Sequence, residues 1–433
     1  CARPGCGRSR PRSCRILRSP VAARATPLSR NLSQLSSTPT LRPGPDDSPR
    51  HGLPPPAAEA LERSAALEAL IVEEIVRAGG AIGFNRFMEL ALYAPGLGYY
   101  SGGATKLGPA GDFVTAPELS PLFGRCVARQ VREVLAALGG GAVLELGGGT
   151  GALAEAALAE AAGWSEYGSD DPLEWYMLEP SAELRDRQRA RLGTRVQWQD
   201  ALPRGFRGVI LANEVADALP VERFTIHGGT PRRLGVARGT AGFAWTLLPP
   251  DEALTAVVGA LEAARGAPFA EGYTSEFSPW LQPWLRSLAD SLEAGLVLVL
   301  DYGLPRRELY APDRVAGTLR CHYRHRAHDD PFLWPGLQDL TAWVDFTALA
   351  EAGVGAGLTL EGFTTQAAFL AGTGMDALLA AAPRDAAGLQ LVQQAKRLLL
   401  PGEMGESFRV LGLGRGLEPA LSGFGRLDLA NRL

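Results

Sequence analysis

The amino-acid sequence predicts a Rossmann-like α/β fold, with a mostly parallel sheet covered by helices on both faces. Three observations predict it. From Ala142 onward, short apolar segments alternate with helical stretches, an order that sets strands side by side through crossover helices. One apolar segment runs directly into the glycine turn Gly147-Gly148-Gly149-Thr150-Gly151. Acidic residues follow the ends of several segments, the edge at which open parallel sheets hold their ligands.

The elements follow in chain order. Residues 1–56 are rich in Arg, Pro and Ser, with Asp46 as the first acid, a composition that cannot bury a core. Such an acid-poor, arginine-rich stretch suits an organelle transit peptide. The preferred reading is a non-native or disordered tail, because arginine dominates the whole chain and prolines interrupt any amphipathic helix. A cytoplasmic, bacterial setting is therefore expected, with the mitochondrial matrix as the alternative if the leader is genuine. Residues 57–141 read as an N-terminal helical region with a cofactor-covering loop. Leu61, Ala65, Leu67, Leu70, Ile71, Ile75 and Val76 recur at helical spacing, a second helix spans Phe84 to Tyr93, and Leu97 to Pro121 is loop. Leu122–Leu138 is again helical and stops at three glycines.

The core is expected over residues 142–415. Its strands are Ala142–Leu146, Trp175–Leu178, Val196–Trp198, Val209–Ala212 and Gly295–Leu300, with helices Ala152–Ala162 and Ser181–Leu192 between them. Residues 221–290 and 302–345 read as insertions, the first with hairpins and the helix Asp251–Ala264. Phe346–Glu351 starts a helix, Phe408–Leu413 is a late strand, and residues 416–433 read as a tail.

The bulk composition excludes several function classes. The net charge of −4 offers no basic excess for nucleic acid or an anionic membrane surface. No apolar run approaches the roughly 18 residues of a membrane helix. Cys1, Cys6 and Cys14 precede the body, leaving Cys126 and Cys321, too few for a disulfide framework. There is no C-x-x-C. His322, His325 and His328 stand three apart, but Arg320, Arg324 and Arg326 among them would repel a cation, so no metal is expected. Nothing in the sequence sets the oligomeric state.

The chemistry centres on the glycine turn. Glycines there let the backbone turn tightly and a ligand approach closely, facing a helix N-terminus. Gly147, Gly149 and Ala152 also satisfy a dinucleotide fingerprint. Glu145 favours S-adenosylmethionine instead: it lies in the strand, two residues before Gly147, where a carboxylate meets the cationic methionine end of that cofactor. Glu179, after the second strand, is placed to accept ribose hydroxyls, and Asp200, after the third, to reach the adenine amino group. Gly151 and Asn213 complete the expected cofactor set. Glu214 and Asp217 follow the fourth strand and Asp301 the fifth, where a methyl acceptor should lie.

Several blocks resemble the MidA-like methyltransferases, a family that includes bacterial proteins and the mitochondrial complex I assembly methyltransferase. They are Asp112–Gly124, Leu144–Gly151, Asn213-Glu214 with Asp217–Val221, Val297–Gly303, Gly317–Arg326, Pro335–Thr341 and Val344–Phe346, in order over roughly residues 65–415. The resemblance implies a class I methyltransferase fold and S-adenosyl-L-methionine as cofactor. It further implies a protein substrate, with an arginine of a respiratory-complex subunit as the candidate acceptor. Val215-Ala216 departs from the bulkier pair expected after Asn-Glu. For a guanidinium acceptor, carboxylates would bind and orient it: Glu214 first, then Asp217 and Glu276, with Asp301 or Tyr302 shaping the site. Thr115, Pro117, Glu118, Arg320, His322 and Arg324 are expected to cover the cofactor or face the substrate. Two other classes compete: a non-catalytic assembly or binding factor on the same fold, and a nicotinamide-dependent oxidoreductase.

Overall fold

The structure, a computed structural model, describes residues 52–102, 115–164, 173–418 and 420–433. The start of the leader and the first three residues of the Asp112–Gly124 block lie outside them. The chain opens with α1 (Ala58–Arg77), β1 (Ala81–Gly83) and α2 (Phe84–Tyr93). The face of α1 that packs inward is Ser64, Leu67, Ile71 and Ile75; Leu61 and Val76, expected on it, are exposed. A short helix, α3 (Ala116–Leu119), interrupts the stretch expected as loop, and α4 (Pro121–Leu138) follows. Ser120 caps α4 through the Leu122 N–H at 3.3 Å, and Gly139, at φ 70°, ends it.

The core then alternates as expected: β2 (Ala142–Leu146), α5 (Ala152–Ala161), β3 (Trp175–Leu178), α6 (Ala182–Leu192), β4 (Gln197–Gln199) and β5 (Phe206–Asn213). The first insertion forms a separate antiparallel sheet from β6 (Glu222–His227), β7 (Thr230–Gly239), β8 (Gly242–Leu247) and, after α7 (Glu252–Arg265), β9 (Thr274–Phe277). Strand β1 pairs with β7, so the N-terminal region and the insertion share one sheet. After α8 (Leu281–Ser291) comes β10 (Leu292–Leu304). The second insertion holds α9 (Arg306–Leu309) and a three-stranded sheet of β11 (Arg320–Tyr323), β12 (Arg326–His328) and β13 (Asp339–Thr341). The chain continues through β14 (Val344–Asp345), α10 (Phe346–Gly355), β15 (Thr359–Thr365), α11 (Gln366–Gly372), α12 (Met375–Ala380), α13 (Ala386–Leu399) and β16 (Phe408–Arg415).

The main sheet runs β15-β16-β10-β5-β2-β3-β4, with β14 alongside β10. Strands β10, β5, β2, β3 and β4 are parallel, and β16 lies antiparallel to β10. The chain steps outward from β2 to β4, then returns to the other side of β2 with β5. That reversal opens a crevice at the carboxyl ends of β2 and β5. Side chains alternate between two cores. Val143, Val209, Leu211, Leu296 and Leu298 meet α4 and α5 on one face, whereas Leu144, Ile210, Ala212, Val297 and Val299 meet α8 and α10 on the other. Burial on both faces is why these strands read as near-continuous apolar runs. Residues 416–433, expected as a tail, pack onto the domain: Leu421 and Phe424 are buried, and Asp428 accepts the Phe363 N–H at 3.2 Å. Cys126 and Cys321 are buried free thiols. Among the described residues, no helix is long and apolar enough to cross a membrane.

Candidate active site

A cavity of about 350 Å³ occupies the crevice. Its floor is the glycine turn. Gly147 and Gly149 hold φ of 59° and 55°, a region costly for residues with a β-carbon, and the Gly147 N–H donates to the Leu178 carbonyl at 3.0 Å. A β-carbon at Gly148 would stand 3.1 Å from Met177 Cε and 3.2 Å from Glu145 Cδ. Glu145 is 2% exposed and accepts the Trp175 indole N–H at 2.9 Å. Burial pushes its carboxyl up to about 8, against that hydrogen bond. Glu179 accepts the Ser181 N–H at 2.9 Å and the Gln188 amide at 3.3 Å. Leu178, Leu184, Leu202, Trp284 and Leu288 make this half of the cavity apolar.

The other half is built where the β5 loop meets α2 and the second insertion. Asn213, Glu214 and Asp217 line it from the loop, Tyr93 and Tyr100 from α2 and the turn after it, and His322, Asp339 and Thr341 from β11 and β13. Glu214 has φ 53°, uncommon for a non-glycine residue, and its N–H donates to the Leu300 carbonyl at 2.9 Å. The Asn213 amide donates to Glu214 Oε1 at 3.2 Å. Burial, with Asp301 near, pushes the Glu214 carboxyl up to about 8. Asp217 is held well above the usual carboxylate range by burial, and Asp301, Asp339 and Glu214 add to that. His322 is shifted down by burial and by His328 and Arg320, which favours its neutral form. Among the described residues the cavity wall carries six carboxyl side chains, Glu118, Glu145, Glu179, Glu214, Asp217 and Asp339, and no lysine or arginine lines it, although Arg191 reaches Glu118 at 3.2 Å. An acid-lined chamber suits a cationic ligand.

Comparison with known proteins identifies the family. Residues 126–364 match a family described as "Putative S-adenosyl-L-methionine-dependent methyltransferase". A crystal structure from Burkholderia thailandensis, bound to S-adenosyl-homocysteine, superposes with a TM-score of 0.83 at 42% identity, covering 88% of this chain and 100% of that one. The chain belongs to this family of S-adenosylmethionine-dependent methyltransferases. A second Burkholderia thailandensis structure gives a TM-score of 0.79 at 42% identity, over 88% of this chain and 100% of that one. Among curated proteins, the protein arginine methyltransferase NDUFAF7 homolog of Caenorhabditis elegans, named as mitochondrial, is 28% identical over 83% of this chain and 89% of its own length. The Danio rerio NDUFAF7 protein is 27% identical over 77% and 83%.

In the methyltransferase, the cavity brings together most of the residues singled out in the sequence. Glu145, Gly147, Gly149, Glu179, Asn213, Glu214, Asp217, Thr115, Pro117, Glu118 and His322 all line it. Glu145, the glycine turn, Glu179 and the apolar wall fit the cofactor: a buried carboxylate for its ammonium, an open cradle at the turn and a carboxylate for its ribose. The remaining residues stand elsewhere. Asp301 lies behind the wall, where one oxygen accepts the N–H groups of Val215, Ala216 and Asp217 at 3.2, 2.8 and 3.2 Å. The other accepts that of Tyr302 at 2.8 Å, so Asp301 positions the β5 loop rather than facing a ligand. Gly151, at φ 83°, packs under α6, with Leu192 Cδ1 2.9 Å from where its β-carbon would be. Asp200 has an 89% exposed side chain, paired with Arg185 at 2.7 Å, and Leu202 takes the wall position beyond β4. Glu276 is buried in β9 within the insertion sheet, 3.2 Å from Arg223, and accepts the Thr318 N–H at 2.8 Å. Arg320 pairs with Asp329 at the surface, and exposed Arg324 lies over the Tyr323 ring, 5.3 Å from its centre. Tyr93, Tyr100, Trp284 and Asp339 went unidentified in the sequence. Only Asp339 carried a signal, as part of a family-like block.

Proposed function

We propose that the protein transfers a methyl group from S-adenosylmethionine to an arginine side chain of a protein substrate. The observation that carries this reading is the acceptor half of the cavity, which the carboxyls of Glu214, Asp217 and Asp339 line together. When bound, the cofactor supplies an electrophilic methyl on a sulfonium. The chain's own residues must then fix the acceptor nitrogen in line with it, and positioning is the larger part of such catalysis. Glu214 and Asp217 would hold a guanidinium by paired charge-assisted hydrogen bonds. Their raised proton affinity also equips them to take the proton that the methylated nitrogen releases. The curated relatives are named as protein arginine methyltransferases, which supports the same acceptor. A respiratory-complex subunit remains the candidate partner on the family resemblance.

The test is transfer of labelled methyl from S-adenosylmethionine to a protein extract, with the modified residue located by mass spectrometry. Label on arginine, lowered about a hundredfold by Glu214→Gln with S-adenosylhomocysteine binding retained, is the expected result. Label confined to lysine or to small molecules would sink the reading.

A further inference from the structure

The second insertion contributes a wall of the acceptor chamber. Strand β13 is docked against the β5 loop: the Ala342 N–H, just past its end, donates to the Asp217 carbonyl at 3.2 Å. In the register of β11 and β13, His322 stands opposite Asp339, and both line the cavity. Asp339 is 2% exposed and accepts the Tyr100 hydroxyl at 3.0 Å. The Tyr100 ring stacks on Tyr93, centres 5.6 Å apart, and the Tyr93 hydroxyl donates to the Ala218 carbonyl at 2.8 Å. These contacts hold Asp339 by side chain and backbone to the loop that carries Asp217.

We propose that Asp339, held by Tyr100, is the specificity-determining residue that selects a guanidinium over an ammonium in this chamber. The inference rests on the arginine reading above and deepens it. Asp339 enters from the insertion, Glu214 and Asp217 from the β5 loop, so a bound cation meets carboxyls carried by two separate elements. A guanidinium presents five N–H donors in a rigid plane and can address both elements through different edges. A compact ammonium is a point charge and is satisfied by one of them. Asp339 and Asp217 line the same cavity, and the Asp339 charge helps to hold the Asp217 carboxyl above its usual range.

The test uses the full chain saturated with S-adenosylhomocysteine and two small probes, N-ethylguanidinium and n-butylammonium, titrated by calorimetry. The wild type should bind the guanidinium at least tenfold more tightly. Asp339→Asn should weaken guanidinium binding at least tenfold and abolish the preference, with S-adenosylhomocysteine affinity unchanged within twofold. Asp339→Glu should restore part of the preference. Tyr100→Phe, which keeps the ring but frees Asp339, should lower the preference severalfold and serves if Asp339→Asn does not fold. A wild-type preference that survives both Asp339→Asn and Tyr100→Phe overturns this inference alone. A wild type that prefers the ammonium, or binds neither probe, overturns the arginine reading together with it.

Discussion

Glu145→Gln tests how the cavity holds its cofactor. In the empty site the Glu145 carboxyl is raised from 4.5 to about 8 by burial. At pH 7 roughly 0.9 of the molecules therefore carry a proton there. Pairing with the cofactor's ammonium requires the carboxylate, so binding at pH 7 should release close to one proton. A free α-amino group titrates near about 8, so between pH 6 and 7 the ligand stays cationic while Glu145 is mostly protonated. Over that interval the wild-type affinity for S-adenosylhomocysteine should rise nearly tenfold, about 1.4 kcal/mol. Glutamine keeps the shape and can still face Trp175, but it has no proton to release. The variant's affinity should be flat with pH, and its deficit against the wild type should widen tenfold over the same interval. Calorimetry in buffers of different ionisation enthalpy reads the proton directly. A wild type whose heats do not depend on the buffer, or a variant that keeps the wild-type slope, would refute the assignment of the ammonium to Glu145.

Three further outcomes are expected. Asp301→Asn places an amide where a carboxylate accepts four backbone N–H groups. It should destabilise the protein by about 2–4 kcal/mol in denaturant titrations and reduce methyl transfer more than S-adenosylhomocysteine binding; equal losses of both would count against a role in setting the β5 loop. Arg191 ties the covering segment to the glycine turn, reaching Glu118 at 3.2 Å and the Thr150 hydroxyl at 2.5 Å. Its half-exposed contacts are worth about 1 kcal/mol, so Arg191→Gln should speed S-adenosylhomocysteine release severalfold in stopped-flow displacement; an unchanged rate removes the latch. The third concerns pH. Glu145 and Glu214 bind protons more tightly when folded, so their contribution to stability is complete below about pH 4.5 and is lost as pH rises through about 8. For Glu145 this amounts to at most about 5 kcal/mol. Thermal midpoints of the cofactor-free protein should fall from pH 5 to pH 8, less steeply in Glu145→Gln; a rise would contradict the burial of these acids.

The parts of the fold legible in the sequence are those with uninterrupted patterns. Ala142–Leu146 and Trp175–Leu178 are strands at the residues expected: the first is buried throughout and bounded by Gly141 and Gly147, and the second alternates buried and half-buried residues between Glu174 and Glu179. The glycine turn was legible for a local reason: Gly147 and Gly149 need a backbone that other residues rarely adopt. Strand β15 was not, since Gly362 breaks its apolar pattern where the Phe424 ring packs, 2.3 Å from a would-be β-carbon. The same ring explains why residues 416–433 are not a tail, although their composition resembles one.

The site divides along the same line. Glu145, Glu179, Glu214 and Asp217 each follow or occupy a parallel strand, so strand order alone locates them at one edge. Asp339 and Tyr100 meet across 239 positions of chain, and no local pattern announces such a pair. Asp301 looked like another rim acid, but its role is set by three N–H groups of a loop whose path the sequence does not reveal. Asp200 satisfied the same positional logic but pairs with Arg185, and Glu276, named only as a further carboxylate for a guanidinium, pairs with Arg223 within the insertion sheet. Val215, the smaller residue that departs from the family pattern, lies 3.3 Å from where a Gly147 β-carbon would be. The β5 loop therefore lies close over the glycine turn at the position where a side chain on Gly147 would stand.

If this crevice is a methyltransferase cofactor pocket floored by the glycine turn, it takes up S-adenosylhomocysteine and not NAD. Calorimetric titration of the full chain with S-adenosylhomocysteine and NAD, in the wild type and in Gly149→Arg, tests it most directly. Gly149 lines the cavity at φ 55°, so an arginine there is strained and fills the floor. The account predicts one S-adenosylhomocysteine site in the wild type, none in the variant, and no NAD binding in either. NAD binding to the wild type without S-adenosylhomocysteine binding, or undiminished S-adenosylhomocysteine binding to a folded Gly149→Arg, would contradict it.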